Sequence, residues 1–316
     1  METLLTGATG FVGRAVCARL LAADHSVTAL VRNPNASLDE RVQLIQNGDF
    51  TKGAAACFQQ QRDIVIHCAA RVHVMNDSAT DPLAEFRRAN VEGTLALASQ
   101  AAQAGVKRFI FISSIKVNGE GTALGRPYTA FDEPAPQDPY GISKFEAEEG
   151  LKALAVETGM EVVIIRPVLV YGPGVKANFQ SMMNWMNKGV PLPLGAIHNK
   201  RSLVALDNLV DLIMTCVDHP AAANQTFLVS DGEDLSTTEL LKRTARALGK
   251  TPRLLPIPAG LLELGAAMLG KRAVAQRLCG SLQVDIRHTC ETLGWQPPVS
   301  VDDALKKTAD VFLAGR

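Results

Sequence analysis

Tyr140 and Lys144 stand four residues apart in "PYGISK", directly behind Pro139. On a helix begun near that proline, positions i and i+4 share a face, so the phenol and the ammonium would lie one turn apart and point the same way. A lysine cation held there favours phenolate. A free phenol has a pKa of roughly 10, so a base working near neutrality needs about three units of depression, or roughly 4 kcal/mol. The same spacing arises by chance on surface helices, so the remainder of the chain has to supply the context.

Part of that context is "LLTGATGFVGRAV", which places Gly7, Gly10 and Gly13 between an apolar run and an amphipathic helical pattern. Glycines permit a tight turn and close backbone approach to a pyrophosphate, and a helix N-terminus offers N–H groups and partial positive charge. With a strand before it and a helix after it, the triplet predicts dinucleotide binding. The second apolar run ends "ALVRNP", where Val31, Arg32 and Asn33 offer no carboxylate to a ribose. Arg32 could instead pair with a 2′-phosphate, which favours NADP(H) and leaves NAD(H) open.

The elements that must position these groups alternate. Short apolar runs, "TLLTG", "SVTALV", "RVQLIQ", "DIVIHC", "RFIFIS" and "EVVIIR", are separated by helical patterns over "FVGRAVCARLLAA", "LAEFRRANVEGTLALASQAAQAG" and "YGISKFEAEEGLKALAVETG". That alternation predicts an α/β fold, a Rossmann-type doubly wound parallel sheet with its ligand site beyond the carboxyl ends of the strands. Residues 1–166 form the expected dinucleotide-binding domain. Residues 167–316, richer in proline and glycine, form a smaller, mostly helical substrate-binding lobe, with some segments returning to the core.

The 316 residues are 47% hydrophobic and 20% charged, which fits a soluble globular protein, and 32 basic residues balance 32 acidic ones. Bulk charge therefore gives no reason to expect nucleic acid as a partner. Six cysteines without C-x-x-C spacing argue against a metal site and a disulfide framework, and point to a reducing compartment. No basic leader or long apolar run is visible, so neither a signal peptide nor a membrane span is expected, and the location reads as cytoplasmic. "GLLELGAAMLG" (260–270) reads as a buried helix, with a membrane-facing role as the lesser option.

Taken in order, "TGATGFVG", "VIHCAA", "RRANVEGT", "FIFISSIKVNG", "PYGISK", "IRPVLVYGPG", "KRSLVALDNLVDLI" and "LGWQPP" resemble the extended short-chain dehydrogenase/reductase family, in its nucleotide-sugar epimerase and dehydratase group. The resemblance spans nearly the whole chain. It implies Tyr140 as catalytic acid or base, Lys144 as its pKa-lowering partner and nicotinamide-ribose ligand, and Ser114, with Ser113 as the alternative, on the reacting sugar oxygen. It implies cofactor contacts at Gly7, Gly10, Phe11, Val12, Gly13, Asp49, Phe50, Ala69, Ala70 and Pro167. For the substrate it implies Arg201 and Asn178 near the nucleotide diphosphate, Arg277 as a weaker second arginine, and Lys116 in the substrate-facing loop. Long helices over 82–106 and 139–158 suggest a possible homodimer through a four-helix seam.

A dehydratase of this family carries acidic residues after the active-site Ser or Thr, where this chain has Ile115 and Lys116. Elimination of water is therefore not expected. Asn118 in place of the usual Tyr, together with Lys116, looks most like the bacterial surface-polysaccharide branch. The first expectation is reduction of the C4 ketone of a UDP-4-keto-6-deoxy-N-acetylhexosamine; the second is 4-epimerisation of a UDP-hexose or UDP-N-acetylhexosamine. A non-catalytic dinucleotide sensor fits less well, because both Tyr140 and Lys144 are present. Asp207 is expected to cap the helix after it. His67, His73 and His198 show no ligand spacing, and His67 is expected to pack at a strand end.

Overall fold

A computed structural model describes residues 1–47, 54–72, 81–270 and 272–315. The expected runs form strands β1 (Glu2–Thr6), β2 (Ser26–Val31), β3 (Gln43–Gln46), β4 (Ile64–His67), β5 (Arg108–Ile112) and β6 (Glu161–Pro167). Strands β7 (Leu169–Tyr171), β8 (Arg201–Ala205), β9 (Thr226–Val229) and β10 (Asp234–Leu235) follow. The helices are α1 (Phe11–Ala22), α2 (Pro82–Arg87), α3 (Gly93–Gln103), α4 (Pro139–Thr158), α5 (Ala177–Asn187), α6 (Leu206–Asp218), α7 (Thr237–Ala247), α8 (Ala259–Met268), α9 (Arg272–Cys279), α10 (Arg287–Leu293) and α11 (Val301–Ala314).

Seven strands make one parallel sheet in the order β3-β2-β1-β4-β5-β6-β9. The chain reverses direction of travel between β1 and β4, and the crevice beyond their carboxyl ends is where such sheets take ligands. The outermost strand, β9, comes from beyond residue 167 and pairs in parallel with β6, Ile164 opposite Thr226.

Side-chain alternation explains why the strands read as continuous apolar runs. In β5, Phe109 and Phe111 enter one core with Leu97, Ala101, Ala147 and Leu151 of α3 and α4. Ile110 and Ile112 point the other way, into a core with Val16, Leu20, Leu209 and Ile213 of α1 and α6. A strand covered on both faces has no solvent side to keep polar. Each such side chain contributes about 1.5–3 kcal/mol on burial, so the strand ends that carry the site rest on a rigid platform.

A second sheet, β10-β8-β7, packs with α5, α7 and α11 around Tyr171, Phe179, Met183, Leu241 and Leu305. Two expectations change here. The helix over 83–105 is interrupted by a π-helical segment, Arg88–Glu92, between α2 and α3. Asp207 is not the cap of α6; it lies in the first turn, where it pairs with Lys307 at 2.7 Å. Among the described residues, no helix is long and apolar enough to cross a membrane.

Candidate active site

Strand β1 ends at Thr6, and Gly7 turns the chain with φ +70°. A Cβ on Gly7 would lie 2.7 Å from the backbone nitrogen of Ala69, so β1 and the segment after β4 touch there backbone to backbone. A Cβ on Gly13 would lie 2.0 Å from the carbonyl oxygen of Gly7. Gly10 donates its N–H to that same oxygen at 2.9 Å and occupies the cap position of α1, with no side chain capping the helix. Gly7, Gly10 and Gly13 with half-buried Phe11, Val12, Ala69 and Ala70 thus form a cradle of bare backbone at a helix N-terminus, which fits a dinucleotide pyrophosphate. Asp49 and Phe50, like His73, lie outside the described residues.

The close approach gives a direct test. Gly13→Ala must push α1 off the loop, because the atom it meets is backbone. We expect a melting temperature lowered by the equivalent of about 1–3 kcal/mol and at least tenfold weaker dinucleotide binding in a titration.

The floor of the cradle is held by His67, which is buried as expected and shares hydrogen bonds with Thr6 Oγ1 at 2.8 Å and Thr94 Oγ1 at 3.0 Å. Burial, and then the nearby Lys144 charge, push its pKa down to about 3, so the ring is neutral near pH 7. The π-helical segment places Asn90 beneath the next loop. Its side chain accepts from Arg71 N at 2.8 Å and donates to Arg71 O and to Ser143 Oγ, both at 3.0 Å.

Helix α4 starts where its sequence says it should. Asp138 caps it by accepting from Gly141 N at 2.7 Å, and Pro139 takes the first position. The half-buried Tyr140 ring packs edge-on against Phe86 at 6.1 Å, and its hydroxyl lies near enough to the Ser114 hydroxyl for the serine to act on its pKa. Ser114 caps the 3₁₀ turn Ile115–Val117 just beyond β5. Lys144, one turn along, donates from Nζ to the carbonyl of Ile112 at 2.7 Å and lies 4.3 Å from the centre of the Phe111 ring.

The charge state differs from the sequence expectation. Tyr140 is raised to about 12, first by burial and then by the Asp138 carboxylate, while the Ser114 hydroxyl pulls the other way. Lys144 falls to about 7, because burial outweighs the attraction of Glu148 and Cys68. The lysine is thus anchored to a backbone carbonyl, and the phenol sits protonated at neutral pH.

Below this pair lies a cluster that motif reasoning missed. Glu148 is fully buried and accepts from Arg166 Nε at 3.0 Å and Nη2 at 2.5 Å. It also accepts the hydroxyl of Ser113, which is turned away from Tyr140 into this cluster and leaves Ser114 as the serine at the phenol. Arg166 Nη1 donates to Asn118 Oδ1 at 2.9 Å, so the asparagine that replaces the family tyrosine orients a buried guanidinium. The signal was present in the spacing: Tyr140, Lys144 and Glu148 repeat at i, i+4 and i+8 on α4.

Other expected residues spread around the mouth. Pro167 is buried at the end of β6, beside the strand-end residues of the sheet. Lys116 is half-buried and ion-pairs with Asp138 and with Glu120. Arg201 donates to the carbonyls of Arg277 at 3.0 Å and Gly280 at 3.2 Å, and burial lowers its pKa. The structure therefore brings Arg201 to the backbone of Arg277, while the Arg277 side chain is exposed. Asn178 is exposed in the first turn of α5, next to Ala177, whose φ of 55° is unusual for a residue with a Cβ.

The chain matches the NAD dependent epimerase/dehydratase family over residues 3–230. It is 53% identical over 315 residues to a UDP-glucose 4-epimerase of Vibrio cholerae, covering 98% of this chain and 95% of the relative. It is 27% identical over 326 residues to N-acetyl-alpha-D-glucosaminyl-diphospho-ditrans,octacis-undecaprenol 4-epimerase of Escherichia coli O157:H7, covering 97% and 94%. The UDP-glucose 4-epimerase of Thermus thermophilus, solved in complex with NAD, superposes with a TM-score of 0.80 at 22% identity, covering 100% of each chain. That structure and several other similar ones hold NAD, which corrects the NADP(H) expectation. Its basis, Arg32, is an exposed side chain just past the end of β2, the ordinary place for a solvated arginine. The glycine cradle, the Ser114–Tyr140–Lys144 constellation and the matched sequence converge: the chain belongs to the NAD dependent epimerase/dehydratase family and is an enzyme acting on a nucleotide sugar.

Proposed function

We propose that this protein is an NAD-dependent UDP-sugar 4-epimerase acting on a UDP-hexose or UDP-N-acetylhexosamine. The observation that carries this reading is the 53% identity, over nearly the full length of both chains, to a UDP-glucose 4-epimerase. It displaces the C4-ketone reduction expected first from sequence in favour of the second expectation.

The nicotinamide supplies a hydride acceptor that can return what it takes. The chain supplies the rest. Ser114 holds the sugar C4 oxygen and Tyr140 moves its proton, removing it as C4 is oxidised and restoring it after the ketone has turned its other face. Their proximity supports a role for both groups on the same oxygen. Lys144, one helical turn along from the phenol, is anchored to Ile112 O, with Glu148 and Ser113 holding the strand end and helix together. Arg201 and Asn178, with Arg277 as the weaker second arginine, are assigned to the nucleotide diphosphate, and Lys116 to the substrate-facing loop beside Ser114.

Reductases and epimerases differ in whether the cofactor leaves. An epimerase regenerates its NAD on each turnover, so protein purified without added cofactor, mixed with UDP-glucose or UDP-N-acetylglucosamine, should yield the C4 epimer by NMR and release NAD on denaturation. Consumption of added NADPH on a 4-keto UDP-sugar, with no epimer formed from either UDP-sugar, would return the reading to a reductase.

A further inference from the structure

Helix α8 was expected to be buried and is not; it has no buried residue. Leu261 and Leu264 are each 60% exposed, Met268 is 81% and Leu269 74%, and across the turn Val274 and Leu278 of α9 continue the surface. Leu261, Leu264 and Met268 follow helical spacing on one side of α8, while Ala259 and Leu262 pack toward the core around Met183 and Leu241. An exposed apolar face on an otherwise folded helix marks a surface that meets something.

The charge around it indicates what. Residues 250–278 carry Lys250, Arg253, Lys271, Arg272 and Arg277 against a single carboxylate, Glu263, in a chain whose formal net charge is zero. Lys250, Arg253 and Arg272, none of them assigned to the diphosphate site, are exposed. Apolar side chains with exposed cations before and after them in the chain match a bilayer interface, where the apolar groups enter the acyl boundary and the cations meet anionic headgroups. A second copy of this chain fits poorly, because a two-fold interface would bring the same cations face to face.

We propose that the α8–α9 hairpin is a peripheral docking surface for an anionic phospholipid bilayer. The hairpin is joined to the candidate diphosphate site through firm contacts: Asn199 Nδ2 donates to Gly280 O at 2.7 Å and Arg201 to Arg277 O at 3.0 Å. Docking would therefore hold Arg201 close to the headgroup layer.

Flotation of the full-length protein with vesicles of phosphatidylcholine alone, and of phosphatidylcholine mixed with phosphatidylglycerol, tests this. The protein should float with the mixed vesicles at low salt and lose that binding in high salt, each cation contributing about fivefold. Leu264→Ser combined with Met268→Ser should lower binding at least about tenfold, while turnover of a soluble UDP-sugar and the melting temperature stay unchanged. The proposal is overturned if the wild type stays unbound with the mixed vesicles, or if the double variant floats equally well. It is also overturned if light scattering shows a wild-type dimer that the double variant makes monomeric, since a second copy would then cover the face.

Discussion

Tyr140→Phe is expected to lower turnover by about 10²–10⁴-fold while leaving the fold and the cofactor content intact. The phenylalanine keeps the ring that packs on Phe86 and loses the hydroxyl that meets Ser114. The neighbouring groups are otherwise engaged, Asp138 with the Lys116 ammonium and the Gly141 N–H. Ser114 is an alcohol, Lys144 is committed to Ile112 O, and neutral His67 lies between Thr6 and Thr94. Wild-type turnover in the variant would remove Tyr140 from the mechanism. The raised pKa makes a second, directional test. Asp138 lifts the phenol by its negative charge, so Asp138→Asn, which keeps a capping side chain, should lower the Tyr140 pKa. Because the oxidising half-reaction needs phenolate, the rising limb of the pH–rate profile should move to lower pH. A limb that stays put would mean that another group sets it.

How far these features could be read from sequence varies with the physics involved. Strands β1, β2, β4, β5 and β6 were legible because burial on both faces writes them as unbroken apolar runs bounded by turn residues. Strand β9 was not, because "TFLV" becomes part of the parallel sheet through pairing with β6, a contact between residues far apart in the chain. Tyr140 and Lys144 were legible from spacing alone, but their charge states were not. Those depend on Asp138, Glu148 and the depth of burial, which are set by packing. The π-helical segment that delivers Asn90 to Ser143 leaves no periodicity in "RRANVEGT" to betray it. Helix α8 shows the reverse failure. Its composition is apolar all round, which usually signals burial, yet whether neighbours cover it is a tertiary property. Arg32 misled for a related reason, since a residue type suggests a ligand only when something holds it in place.

Glu148→Gln is expected to be the most destabilising single change near the site. The carboxylate is shared: Arg166 grips it with two nitrogens, and Lys144 lies one helical turn away on the same face of α4. Removing its charge strands two buried cations, and breaking a buried pair in this way costs about 3–5 kcal/mol. For a chain of this length that is a fall in melting temperature on the order of 10 °C. Arg166→Met should cost less, because Glu148 keeps the Ser113 hydroxyl and the Lys144 ammonium as partners. The sign of the pH dependence is fixed by the lysine. Its folded-state pKa is already lowered to about 7 by burial, and Glu148 is the largest influence holding it up. Without Glu148 it falls further, so near and below pH 7 the wild type binds a proton that the folded variant does not. The stability deficit of Glu148→Gln should therefore grow as pH falls through 7 and level off above it. Thermal melts of both variants at pH 6 and pH 8 decide the matter, and equal deficits at the two values would show that Glu148 serves Arg166 without acting on Lys144.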